Sequence, residues 1–235
     1  MKSSLFKSML VLSSLIVIPL LAADFWEKKE FTEWSEKDCY KLLRKSPWAF
    51  SNSFRNTDNL GSTETGTRET GEIIEFRLLT AKPVRMALGR LQLLSKPNDA
   101  AVQEQIMGYI NSPPGEQVLV QIGYRNLVGT SPYIQNLAAF FARANLSTFI
   151  NDTSLSASDN VHVPISDYLP VSNERPNPVF VFPRLAEDGT PHFTGKEKSI
   201  SLRSVFETGQ IASKKYKIFV KMKPKDMMFQ GQFEM

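Results

Sequence analysis

Residues 215–223 read KYKIFVKMK. Tyr216, Ile218, Val220 and Met222 alternate with Lys215, Lys217, Phe219, Lys221 and Lys223, the period of two that sends successive side chains to opposite faces of a β-strand. One face is apolar and asks for a core beneath it, while the other carries four lysines and asks for water. Pro224, Lys225 and Asp226 read as a turn, and Met227, Phe229, Phe233 and Met235 as the apolar face of a returning strand. The C-terminal end is therefore expected to be a hairpin tied into a mainly antiparallel sheet.

Upstream of this hairpin, strand signals dominate back to about residue 146. Residues 199–206, 178–183 and 161–165 read as strands, with prolines marking edges or strand ends. Glu187, Asp188 and Gly189 form a turn, residues 151–160 read as a polar loop, and Phe149 and Ile150 as the end of a short strand. Before residue 146 the period changes. Residues 72–79 alternate as a strand with Ile74, Phe76 and Leu78 on one face; Pro83 suits the first turn of a helix whose stripe is Val84, Ala87, Leu88 and Leu91. Asp99 caps a second helix carrying Val102, Ile106, Tyr109 and Ile110. A strand follows over residues 118–128, and Ser131 and Pro132 open a third helix with Ile134, Leu137, Ala138, Phe141 and Ala142 inward.

Near the N-terminus, residues 31–50 (FTEWSEKDCYKLLRKSPWAF) hold two of the three tryptophans and the one cysteine. Ser35 reads as an N-cap, with Asp38 as its capping-box partner and Trp34 over Cys39 as a hydrophobic staple. Pro47 ends that helix by Ser46. Trp26, Trp34, Cys39 and Trp48 are thus expected to be packing anchors. A reactive cysteine would need a base nearby, and His162 and His192 lie far along the chain.

Residues 1–23 differ from the rest. Lys2 and Lys7 precede an uncharged stretch broken by Pro19, and Ala22 and Ala23 follow, as in an export signal. Its loss would leave 26 basic against 24 acidic residues, near +2, which argues against nucleic acid as a partner. A retained segment would instead act as a membrane anchor. With a single cysteine, an exported chain forms no internal disulfide and its fold rests on packing.

Catalytic signatures are missing from the sequence: there is no G-x-S-x-G elbow, Walker loop, G-x-G-x-x-G, H-E-x-x-H or C-x-x-C. Two histidines and one cysteine do not suggest a zinc site, and no cofactor is implied. A carboxylate-pair hydrolase of envelope polymers stays open as the alternative, because acid pairs need proximity in space only. Glu72 and Glu75 are the nearest such pair and read as surface charges. Lys215, Lys217, Lys221 and Lys223 could meet an anionic lipid, sugar acid or nucleic acid, or could be a solvated edge that deters strand-to-strand aggregation.

The pattern W-x-K-K-x-F-x-x-W-S-x-K-D from Trp26, followed by S-P-W-A, T-A-K-P-V-R-M-A-L (residues 80–88), V-F-V-F-P-R (179–184) and K-D-M-M-F-Q-G-Q-F-E (225–234), resembles a group of exported proteins of soil bacteria such as Acidobacteria. The resemblance implies a bacterial exported origin and brings no activity or catalytic residue. The resulting expectation is an α+β protein. An export signal over 1–23 leads to a helical segment over 24–50, a polar loop or exposed hairpin over 51–71, an α/β segment over 72–150 and a β-rich segment over 151–235. Its expected role is a periplasmic or secreted binding or envelope-associated module, the partner being an envelope component or another protein.

Overall fold

A computed structural model describes residues 24–57, 69–158, 161–209 and 213–235. The export-signal reading of residues 1–23 and the middle of the expected polar loop lie outside the described residues. In chain order the elements are α1 (Phe25–Lys28), α2 (Glu36–Arg44), β1 (Ala49–Thr57), β2 (Glu69–Leu78), α3 (Lys82–Ser95), α4 (Ala100–Asn111), β3 (Gln117–Val128), α5 (Tyr133–Arg143) and α6 (Leu146–Phe149). Then come β4 (Thr153–Ala157), β5 (His162–Pro164), β6 (Asp167–Leu169), β7 (Val179–Pro183), β8 (Ile200–Thr208), β9 (Lys214–Met222), β10 (Met228–Phe229) and β11 (Gln232–Phe233). Every strand pairing is antiparallel, so the fold is α+β, with its α-helices in the N-terminal part and a strand-rich C-terminal half.

Two sheets share one core. The first has the order β1-β2-β3-β7-β6 and the second β5-β4-β8-β9. β9 comes alongside β1 at one margin, where Phe54 meets Tyr216 edge-on with centroids 4.9 Å apart. At the other margin β5 leads into β6 through Ile165 and Ser166, whose backbone N–H groups donate to Thr153 of one sheet and Val181 of the other. Phe149, fully buried on α6, fills the centre: its ring lies 4.8 Å from Phe180 on β7 and 6.1 Å from Phe206 on β8. Burying large aromatic rings in such edge-on contacts contributes to holding the two sheets together.

The N-terminal segment is fastened over this body as the sequence suggests. Ser35 Oγ accepts from the Asp38 N–H and the Asp38 carboxylate accepts from the Ser35 N–H, a complete capping box. Asp99 caps α4 through the Val102 N–H. α3 has no cap of its own, because Ala81 stands at its N-cap. Glu234 supplies one from 152 residues away, its carboxylate accepting from the Lys82 N–H at 2.8 Å where the helix dipole favours negative charge.

Three expectations are corrected and one pair of alternatives is decided. Of the polar loop and the exposed hairpin expected over 51–71, residues 51–57 follow the hairpin, belonging to β1 and paired with β2 from Ala49↔Arg77 to Thr57↔Glu69. Residues 153–157, read as loop, form β4; Thr153 and Ser204 face each other across β4 and β8, and their hydroxyls bond at 2.7 Å, which lets polar residues sit buried in a strand. Phe149 ends a helix, because Asn145 and Thr148 form a capping box around α6. Finally, β9 does not pair with a returning strand. It pairs with β8, while β10 and β11 make a small hairpin of their own at Gln230 and Gly231, whose φ angles of 50° and 77° suit a tight turn.

Candidate functional site

The tryptophan–cysteine segment is a packing surface. Trp34, Cys39 and Trp48 are wholly buried and Trp26 nearly so. Two of the indole N–H groups are satisfied by carbonyls, Trp34 donating to Lys29 at 3.1 Å and Trp48 to Glu234 at 2.9 Å. Burial pushes the Cys39 thiol up to about 11, and the nearby Arg90 charge only partly counters this. A thiol held protonated in this way is a poor nucleophile at neutral pH.

Glu72 departs from its expected role as a surface charge. It is fully buried between the sheets, where Lys214 Nζ donates to its Oε2 at 2.6 Å and Ser131 Oγ to its Oε1. The same ammonium lies 4.8 Å from the Tyr133 ring centre and 5.2 Å from that of Tyr216, so aromatic faces supplement the carboxylate. Glu75, three residues on, points to the other face of β2 and pairs with Arg125 at 2.8 Å. An odd spacing on a strand places the two acids on opposite sides of the sheet, and they form no catalytic pair. Among the described residues there is no group of three or more His, Cys, Asp or Glu able to hold a metal. His162 keeps a local contact, its Nδ1 lying 3.4 Å from Ser156 Oγ, and His192 sits in the turn region where its backbone N–H donates to Arg184.

Lys215, Lys217 and Lys221 all lie exposed on the outer face of β9, with exposed Lys223 just past its end. The register shows what surrounds them. One row across the second sheet runs His162, Ser156, Ser201, Lys221; the next runs Pro164, Ser154, Arg203, Phe219. Below these, Val205 faces Lys217 and Glu207 faces Lys215. Phe219 is 62% exposed, the highest value among the large exposed apolar side chains described. The face therefore presents cations and hydroxyls around one open aromatic ring, with Glu207 as its acid.

Arg203 escaped the sequence reading because it belongs to another strand. Only the β8–β9 register places it directly across from Phe219. β9 is the end strand of its sheet, paired with β8 and with β1 close alongside, and the lysine side chains stand on its sheet face. Compared with protein-family models, curated proteins and solved structures, the chain matches none. Among the described residues no helix is long and apolar enough to cross a membrane.

Proposed function

We propose that the protein is exported and serves as a non-enzymatic binding module of the cell envelope, holding an anionic polysaccharide against the outer face of its second sheet. The observation that carries this reading is Phe219, open to solvent opposite Arg203 and between Lys217 and Lys221 on one strand face. Alternate residues of a strand stand about 7 Å apart, so ring and cations are spaced along a line that an extended acidic polymer can follow. The apolar C–H face of a sugar ring suits the Phe219 ring, and flanking carboxylates suit the lysines and Arg203.

Other anionic partners fit this face less well. A lone phenylalanine on a sheet face lacks the broad apolar surface that membrane-surface elements bury at the acyl boundary. Single-stranded nucleic acid calls for aromatic platforms for successive bases, and here there is one. The test is calorimetric titration of the purified chain with polygalacturonate, neutral dextran and phosphatidylglycerol vesicles. The reading expects binding to polygalacturonate that weakens steeply with salt and none to dextran. Binding to the vesicles without binding to polygalacturonate contradicts it. N-terminal sequencing of the exported protein checks the address, with a start at Ala23 or Asp24 expected and an intact Met1 opposing it.

A further inference from the structure

β1 and β9 are end strands of different sheets and lie side by side. Phe54 and Tyr216 meet at one end of the seam between them. At its other end, where β1 begins and β9 finishes, a cleft of about 230 Å³ is lined by Ser46, Ala49, Phe50, Lys221, Lys223 and Asp226. Lys221 belongs to both surfaces: it ends the line Lys217, Phe219, Lys221 on the outer face of β9 and stands at the wall of this cleft. Lys221, Lys223 and Asp226 are exposed, and Ser46 and Phe50 are half-buried, so solvent reaches every one of them.

Two cations and one anion thus line a common cleft without pairing. Among the described residues neither ammonium comes within 4 Å of a carboxylate, and the Asp226 carboxylate accepts no hydrogen bond. Opposite charges placed together and left apart suit a ligand with an anionic group for the lysines and hydroxyl donors for the carboxylate. A sugar acid carries both. Ser46 Oγ accepts from the Trp48 N–H at 3.3 Å and keeps its own hydrogen to donate, and the apolar face of a sugar ring suits Phe50. A plain inorganic anion would meet the lysines but find Asp226 repelling it. Sites that enclose drug-sized molecules run from about 300 Å³ upward, so this cleft has room for one ring and none for a run of chain.

We infer that the cleft takes the terminal sugar-acid residue of the polysaccharide held along β9, its carboxylate at Lys221 and Lys223 and its hydroxyls on Asp226 and Ser46. This rests on the polysaccharide reading of the outer face. Alternate positions on β9 are about 7 Å apart, so a chain that passes Lys217, Phe219 and Lys221 arrives at the mouth of the cleft without crossing another strand. The protein then holds short, end-rich fragments by a contact that the interior of a long chain cannot make.

Trigalacturonate, long polygalacturonate and neutral maltotriose are the probes, each followed through backbone amides by NMR on the whole chain. Two variants alter the cleft and leave Phe219 and its neighbours in place: Lys223→Glu, at an exposed position just past β9, and Ala49→Phe, which narrows the cleft from the β1 side. Trigalacturonate is expected to shift the amides of Ser46, Phe50, Lys223 and Asp226 saturably, maltotriose to leave them unmoved, and each variant to weaken trigalacturonate roughly tenfold or more. Long polygalacturonate, with few ends, is expected to keep its changes around Phe219 in both variants. Should Ala49→Phe fail to fold, Lys223→Glu, a change at a solvated side chain, carries the test. Trigalacturonate changes confined to the Phe219 face, inorganic phosphate reproducing the cleft shifts, or an unaltered trigalacturonate affinity in Lys223→Glu overturns the cleft and leaves the polysaccharide reading standing. No change with either acid overturns that reading and the cleft with it.

Discussion

Cys39 and Glu72 carry the clearest residue-scale consequences. The ordinary thiol value of 9.0 rises to about 11 for Cys39 in the fold, so the native state holds this proton more tightly than the unfolded chain. The stabilisation is fully present below pH 9 and is lost as pH rises through about 11. Burial also raises the phenols of Tyr168 and Tyr216, which adds to the loss on the alkaline side. Denaturant melts at increasing alkaline pH should show stability falling across this window, and a disulfide reagent at pH 8 should leave the native thiol unmodified while labelling it fully in denaturant.

For Glu72, removing its charge takes away the carboxylate that faces the Lys214 ammonium, whose side chain is 17% exposed. Glu72→Gln should cost about 3 kcal/mol, and Glu72→Gln with Lys214→Met less than the two single changes added together. Urea melts of the double-mutant cycle measure this, and strict additivity would contradict the coupling. Cys39 was legible in the sequence because its neighbours at helical spacing are apolar. Glu72 was not, because its partner Lys214 lies 142 residues away.

At the scale of elements, Glu234 and Gly89 join parts that sequence separates. Glu234→Ala strips α3 of the carboxylate at its first N–H and should cost about 1 kcal/mol, the usual worth of a lost cap. Gly89 lies where α3 crosses α4: a Cβ there would meet Ile106 Cγ2 at 2.7 Å and Ile110 Cδ1 at 3.0 Å. Alanine should gain about 1 kcal/mol in helix propensity but lose about 1–3 to overpacking, so Gly89→Ala is expected to lower the melting temperature. A rise would mean that α4 yields easily.

Elements with clean periodicity were legible: α2 with its cap, α3, α4, α5, β3, β8 and β9. Those missed or left open share a cause. β1 and β4 present Ser, Asn and Thr at inward or paired positions, and their strand character rests on partners supplied by other segments, such as Ser204 for Thr153. α6 is one turn long, so neither length nor period could reveal it. The same dependence on pairing misassigned β9, whose partner β8 precedes it while the apolar residues after it make a separate hairpin.

For the molecule as a whole, the aromatic side chains divide into two uses. Trp34, Trp48, Phe141, Phe149, Phe180 and Phe182 are fully buried and bind helices and sheets into one cluster. Among the described residues, Phe219 alone stands open amid cations on a sheet face. The α+β class and the lysine row followed from the sequence. The face that gives the row a use did not, since it needs Arg203, Ser201, Ser156 and His162 brought beside β9 by three strand pairings. Substitutions on this face should spare the fold, because its side chains add little to the core: Phe219→Ser with Lys217→Glu should change stability by less than about 1 kcal/mol in a thermal melt.

The most direct measurement is a residue-resolved NMR map of backbone amide changes on adding polygalacturonate. The account predicts changes concentrated on β8 and β9 around Arg203, Lys217, Phe219 and Lys221, and their disappearance in the Phe219→Ser, Lys217→Glu protein. Changes centred elsewhere, or unaltered by those substitutions, would contradict it.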